Sequence, residues 1–239
     1  NWTVIGGKPS AYLGYSVGTA GDVNGDGYSD VIIGAHGYNN GETNEGRAYV
    51  YHGSSTGLST SPNWVVESNQ INAEFGWSVG TAGDVNNDGY SDVIVGARRY
   101  SNGQEYEGGA FVYHGSPSGL STTANWSAEG DKVNIWFGVS VGTAGDVNND
   151  GYSDVIVGVA NTSSVTPCEN TAYVYHGSDT GLSLTANWTG VLTQPEACFG
   201  FSVGTAGDVN DDGYSDVIIG APYYDNDQTD EGGAFVYHG

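Results

Sequence analysis

Positive charge is what this 239-residue sequence has least of: five Lys and Arg stand against 28 Asp and Glu, for a formal net charge of −23. So acidic a surface repels phosphate backbones and anionic headgroups, which excludes nucleic-acid or anionic-membrane binding through a basic patch. No apolar run is long enough to cross a bilayer, which excludes insertion as a helix. Methionine is absent, even at position 1, which points to a processed product or an excised domain from which any leader is already gone. No stretch combines helical spacing with a cap, so a helical fold is not expected. What is abundant is Gly (40), Tyr (17) and Trp (6), the composition of a folded, turn-rich chain and not of a disordered one. At 24.8 kDa it suffices for one all-β domain or two small ones with a real core.

An internal repeat decides between them. The segment beginning Gly21-Asp22-Val23-Asn24 and ending at Gly34 returns at Gly83, Gly145 and Gly207, a step of 62 residues without insertion or deletion. Asn-Trp keeps the same step at Trp2, Trp64, Trp126 and Trp188, and Tyr-His-Gly at Tyr51, Tyr113, Tyr175 and Tyr237. One copy reads as four short strands: A over 75–85, B over 92–97, C over 109–114 and D over 126–129. Strand B (DVIVGA) is apolar on both faces and therefore central. Gly, Asn, Asp and Ser clusters separate the strands. Four-stranded antiparallel units at this period are expected to be β-propeller blades: 13–68, 75–130, 137–192 and 199–239 of a single domain over 1–239. The sequence opens with a D strand (1–7) and closes with a C strand, so the first strand is expected to complete the last blade and cover a sheet edge.

Phe75-Gly76, Phe137-Gly138 and Phe199-Gly200, followed by Gly220-Ala221-Pro222, give the chain a family resemblance. It resembles the FG-GAP repeat, which builds the propeller of integrin α subunits and of many bacterial surface proteins. The resemblance spans all four copies, with departures: Leu13 replaces the first Phe, and His36, Arg98 and Ala160 replace the Pro. Integrin propellers have seven blades, about 51° each. Four blades closed in one chain need about 90° each and eight from two chains about 45°. Both a four-bladed monomer and an eight-bladed homodimer stay open, and the angle favours the dimer.

The strongest chemical motif is Asp-x-Asn-x-Asp-Gly-x-x-Asp. It supplies Asp22, Asn24, Asp26 and Asp30; Asp84, Asn86, Asp88 and Asp92; Asp146, Asn148, Asp150 and Asp154; and Asp208, Asn210, Asp212 and Asp216. Hard oxygens at alternating positions of a tight loop suit Ca²⁺, with the position-seven carbonyls of Tyr28, Tyr90, Tyr152 and Tyr214 as further ligands. A metal-free hairpin would leave three carboxylates repelling one another in each loop. Four structural Ca²⁺ per chain are therefore expected, on loops that join strands A and B as in FG-GAP repeats.

These loops and the C–D turns lie at one end of a blade; the B–C loops and D–A links lie at the other. The first face is nearly invariant between copies. The second varies, at 37–45, 100–107, 160–170 and 223–231 and at 6–12, 67–74, 129–136 and 192–198. A rigid scaffold with one variable loop face is how binding sites are built, and in integrins the corresponding face meets ligand. Tyr12, Tyr100, Tyr106, Trp136, Tyr223 and Tyr224 fall on or beside it and are candidate ligand contacts, with Tyr as a mere strand former the competing reading. Cys168 and Cys198 both fall on that face at one blade junction, which favours a disulfide and an oxidising compartment. His52, His114, His176 and His238 repeat with the fold and read as strand-end residues beside their own calcium loops. The sequons at Asn1, Asn125 and Asn187 belong to the repeated Asn-Trp element; a fourth stands at Asn161. No Gly-x-Ser-x-Gly elbow or triad emerges, and carboxylate pairs such as Glu105 with Glu107 are the only acid–base candidates.

The expectation is a calcium-stabilised, non-enzymatic binding or adhesion module, extracellular, at the cell surface or periplasmic. Its ligand is a protein or a glycan, the latter making it a lectin; a polysaccharide-acting enzyme is the distant alternative.

Overall fold

The computed structural model describes residues 1–161 and 168–239, and the architecture is all-β. Blade 1 holds β1 (Val17–Gly21), β2 (Asp30–Ala35), β3 (Arg47–Tyr51) and β4 (Trp64–Glu67). Blade 2 holds β5 (Phe75–Gly83), β6 (Asp92–Ala97), β7 (Gly109–Tyr113) and β8 (Trp126–Glu129). Blade 3 holds β9 (Phe137–Gly145), β10 (Asp154–Val159), β11 (Thr171–Tyr175) and β12 (Trp188–Val191), and the last blade β13 (Ser202–Gly207), β14 (Asp216–Ala221) and β15 (Gly233–Tyr237). Each is an antiparallel meander in chain order, four-stranded in blades 1 to 3 and three-stranded in the last. As expected of strand B, β6 and β10 are buried at every residue.

The core lies between blades. Ala82, Val85, Ile94 and Val112 on the trailing face of blade 2 meet Phe137, Val141, Val155 and Val157 on the leading face of blade 3. The same positions of blades 1 and 2 build a second slab, and those of blades 3 and 4 a third. Trp64, Trp126 and Trp188 close the outer edge of each slab, stacking on Tyr113, Tyr175 and Tyr237 of the next blade at ring-centroid distances of 4.9–5.0 Å. The indole N–H of Trp64 donates to the Ser121 carbonyl (2.7 Å) and that of Trp126 to Ser183 (2.9 Å).

Polar stitches run beside each slab. The Val79, Val141 and Val203 amides donate to Ser16, Ser78 and Ser140 Oγ at 3.0–3.1 Å. The Ser91, Ser153 and Ser215 amides donate to the Asp22, Asp84 and Asp146 carbonyls at 2.8–3.0 Å. In return the Asp22 and Asp84 amides donate to Ser91 and Ser153 Oγ, both at 3.2 Å. The Ser of the Tyr-Ser-Asp element in blades 2 to 4 thus binds the first residue of the preceding blade's acidic loop.

Residues 1–7, expected as the outer strand of the last blade, carry no strand pairing here. They lie against blade 1, where Trp2 packs on Tyr51 at 4.9 Å and donates to the Ser59 carbonyl at 2.8 Å. That is the same seat the other three tryptophans take on the blade that follows their own.

Blades approach closely at Gly96, where an added Cβ would stand 2.1 Å from the Gly138 carbonyl oxygen; at Gly142, on an inner strand, nothing lies within 4 Å. Gly96→Ala should therefore cost about 1–3 kcal/mol or more through overpacking, and Gly142→Ala less than about 0.5 kcal/mol. Urea unfolding of the two variants checks the pair.

Candidate functional site

The four acidic loops share one hydrogen-bond scheme. Asp22 Oδ1 accepts the Gly25 and Asp26 amides (2.7 and 3.1 Å) and its Oδ2 accepts Gly27 (2.8 Å). Asn24 Oδ1 accepts the Asp26 amide at 3.2 Å, and Asp26 Oδ1 accepts Tyr28 at 3.0 Å. One amide shared between the first and third residues draws their oxygens together, and it recurs at Asp88, Asp150 and Asp212. Position six is Gly27, Gly89, Gly151 or Gly213, at φ between +88 and +92°. Position four also needs positive φ, which is why it is Gly25, Asn87, Asn149 or Asp211.

The ninth residue sits apart. Asp30, Asp92, Asp154 and Asp216 are fully buried. Asp92 Oδ2 accepts the Val85 amide (2.9 Å) and Oδ1 accepts Gly115 (2.8 Å), tying the loop to the end of strand β7. Burial pushes the Asp92 carboxyl up to about 7 and Asp154 to about 6, against the pull of these amides. Asp216, with no further blade packed over its own, is instead held below the ordinary value by the Val209 amide.

Asn24, Asn86 and Asn148 Nδ2 stand 3.1, 3.3 and 3.0 Å from His52, His114 and His176 Nδ1, the strand-end placement expected of these histidines. Asn125 and Asn187, the repeated sequon residues, spend Oδ1 on the amides of His114 and His176.

No Lys or Arg reaches an acidic loop among the described residues. The cations pair as Arg47–Glu67, Arg98–Glu74, Arg99–Glu74 and Lys132–Glu169 on the opposite, variable face. Nor does any group of three or more acidic, His or Cys side chains close into a metal cage among the described residues. The carboxylates of the first and fifth residues turn onto their own loop amides, with no Lys or Arg beside them.

The variable face is built differently. Cys168 and Cys198 form a disulfide, and Trp136, Val139 and Ala160 pack around it. Arg98 lies 3.2 Å above the Trp77 ring and 4.5 Å from Trp136, while Glu74 Oε2 holds its Nε at 2.5 Å. Trp77 stacks on His36 at 4.6 Å, and His36 on Tyr12 at 5.0 Å and Tyr15 at 4.5 Å. Burial pushes the His36 imidazole below its ordinary value, against the attraction of Glu74.

The expected ligand aromatics divide. Tyr12 and Tyr223 are exposed, at 59% and 44%, and Tyr106 is half-buried below Arg99. Trp136 is buried in the disulfide cluster. Tyr100 and Tyr224 pack edge-on against Phe111 and Phe235 inside their own blades, as Tyr38 does against Tyr49, which makes them strand-packing residues. Their step was the available signal, since Tyr38, Tyr100 and Tyr224 hold one position in three copies. Glu107 is buried and accepts the Asn102 and Gln104 amides, so it braces its loop and leaves Glu105 without a paired carboxylate.

Two features lay outside the sequence reading. Glu74 is the anchor of both Arg98 and Arg99. It also shares with Tyr12, Trp136 and Cys198 a position just before the Phe-Gly element at φ between +53 and +57°, although none is Gly. Non-glycine residues held there cost on the order of 1–3 kcal/mol each, a strain found at binding sites.

The FG-GAP repeat model matches residues 13–51, 75–113, 137–175 and 199–237. The chain belongs to the FG-GAP repeat family. It is 32% identical to integrin alpha-8 of Mus musculus over 222 residues, covering 88% of the chain and 20% of that protein. It is also 32% identical to integrin alpha-4 of Xenopus laevis over 157 residues (64% and 15%) and 31% to integrin alpha-PS2 of Drosophila melanogaster over 177 (69% and 12%). The chain thus spans a fifth or less of the length of these relatives.

With its cysteines 30 positions apart, the disulfide should contribute about 3–4 kcal/mol by loop-closure entropy. Cys168→Ala with Cys198→Ala is expected to lower urea-unfolding stability by that amount, and a change under about 1 kcal/mol would mean the bridge restrains little.

Proposed function

We propose that this FG-GAP propeller is an extracellular, calcium-stabilised, non-enzymatic binding module. The observation that carries the reading is the division of labour between its two faces. One repeats the same acidic loop at every blade; the other gathers all the cationic side chains, the disulfide and the non-repeating aromatics. The disulfide and the similarity to integrin α chains support an oxidising, extracellular setting.

In this reading each loop takes one Ca²⁺ from its first, third, fifth and ninth side chains and the position-seven carbonyl. Those are Asp84, Asn86, Asp88 and Asp92 with Tyr90 in blade 2, and their equivalents in the other three. Calcium supplies charge neutralisation and no chemistry. One amide draws the first and third residues' oxygens together, no Lys or Arg serves them, and hard carboxylate and amide oxygens fit that cation. Neutralisation firms the loop whose first residue the next blade's Ser grips, so metal and blade packing are coupled.

Ligand binding belongs to the variable face, at Tyr12 and Tyr106 beside the Glu74–Arg98–Trp77–His36 stack and at Tyr223 of the last blade. A protein ligand is the principal reading, because guanidinium, carboxylate and aromatic groups are packed there into one rigid patch. A glycan ligand is the second, carried by the exposed Tyr12 and Tyr223 rings.

Calcium held 100-fold above its dissociation constant stabilises a single-site protein by about 2.7 kcal/mol. Chelation should therefore lower the melting temperature by roughly 5–10 °C per occupied loop, and Asp84→Asn with Asp88→Asn should remove one site from a calorimetric titration. An unchanged melt in chelator would end the calcium reading. A glycan array and a protein-binding screen, each run in calcium and in chelator, separate the two ligand classes. Tyr12→Ala with Tyr223→Ala should weaken binding at least about 10-fold if these rings make the contact.

A further inference from the structure

The chain leaves two sheet faces uncovered, and they are the two halves of an interface it makes three times internally. On the trailing side of the last blade, Val209, Ile218 and Val236 are 55%, 39% and 45% exposed. Their equivalents Val23, Ile32 and Val50 in blade 1, and Val85, Ile94 and Val112 in blade 2, are fully buried by the following blade. On the leading side of blade 1, Val17 is 65% exposed, whereas Val79 and Val141 at the same position are 6% and 7% exposed. Had the four blades closed on themselves, these residues would be covered.

We infer that the occupant of each open face is the opposite face of a second copy of this chain, so that two copies close one eight-bladed ring. Three observations support a second copy.

The apolar complement is already specified: trailing Val209, Ile218 and Val236 match leading Val17 and Val31, with Ile33 beside them already buried in the chain, at the positions that meet in the three internal slabs. The polar stitches are matched too. Ser29 and Val17 stand where Ser91 and Val79 donate, and Asp208 and Ser202 stand where Asp22 and Ser16 accept. The acidic loop of the last blade is therefore the one loop of the four not gripped by a following Ser within the chain, and the pair would supply that grip.

The third observation is the amino-terminal segment. Trp2 and Val4 are half-buried while Asn1, Thr3 and Ile5 are exposed, the alternation of a strand. It is docked on blade 1 in the outer-strand seat of a preceding blade, with no sheet partner among the described residues. Strand β15 has the converse problem: a whole blade inside it and an uncovered edge. By the internal register, in which Val50 faces Trp64 and Ala48 faces Val66, β15 of one copy would receive Trp2 opposite Val236 and Val4 opposite Ala234 of the other. Each copy thus lends its first strand to the other's last blade, a closed head-to-tail exchange. Eight blades also lie within the range propellers adopt, at about 45° each.

The test is native mass by light scattering, in calcium, for the 239-residue chain and two variants. The proposal expects a species at twice 24.8 kDa for the parent. Val17→Asp and Val236→Asp should each be monomeric, with association at least roughly 100-fold weaker, because either one buries a charge in both junctions of the ring. Both sites are exposed in the single chain, so the variants should keep its circular dichroism spectrum. Mixing the two variants is decisive: one junction then joins two wild-type faces, and a dimer of intermediate affinity should return. A parent monomeric at all concentrations, variants that remain dimeric, a mixture that does not recover, or open-ended polymers would each overturn the proposal. An unchanged melt in chelator would overturn the calcium reading and leave this one standing.

Discussion

The fold depends on one joint, the contact of a blade's trailing face with the leading face of the next. Its apolar half is a slab of Val, Ile, Ala and Phe, buried in each of the three internal copies, with Val147 and Val203 of the third only partly covered. Its polar half is the grip of a Ser amide on the Asp that opens the preceding acidic loop. Because the same joint recurs every 62 residues, stability is a sum of like terms, and any change to the joint is multiplied by its copies. A sheet of three or four short strands has no dry core of its own; only stacking supplies one.

The joint also explains why the two ends of the blade evolved such different chemistry. At the loop end, the Asp backbone is committed to the neighbour and its carboxylate to its own loop amides, so the sequence there is constrained between copies. At the other end, the B–C loops and D–A links keep one recurring Glu, at Glu45, Glu107, Glu169 and Glu231, and otherwise differ. There the residues preceding Phe-Gly are Tyr12, Glu74, Trp136 and Cys198, four chemistries on one strained backbone conformation. The constrained end is acidic without counter-charge, and the free end holds every Lys and Arg of the chain. That polarity is the physical basis for assigning cations to one face and ligand to the other.

Much of this was legible in the sequence, since the 62-residue step indexes every residue against three others. The strands of blade 2 fell within two residues of expectation, because the Gly and Asp clusters that bound them are turn formers with a local effect. The disulfide followed from both cysteines falling at one blade junction. The amino-terminal segment was less legible: its alternating pattern marks it as a strand, but strand pairing needs a neighbour that sequence pattern cannot place. Side-chain partnerships across blades were invisible for the same reason. Nothing local tells that Ser91 serves Asp22, or that Glu74 serves two arginines. The loop position of Tyr100 and Tyr224 suggests ligand contacts, whereas the recurrence of Tyr38 at the same step marks them as packing residues.

The account stands on the claim that the Ser-to-Asp grip is part of the cooperative core and not a surface ornament. Hydrogen exchange at the Ser91, Ser153 and Ser215 amides, followed by NMR in calcium, measures it directly. The account predicts protection comparable to that of the central strands β6 and β10, lost together with theirs on unfolding. Exchange at these three amides as fast as in the exposed turns, with the strands still protected, would contradict it.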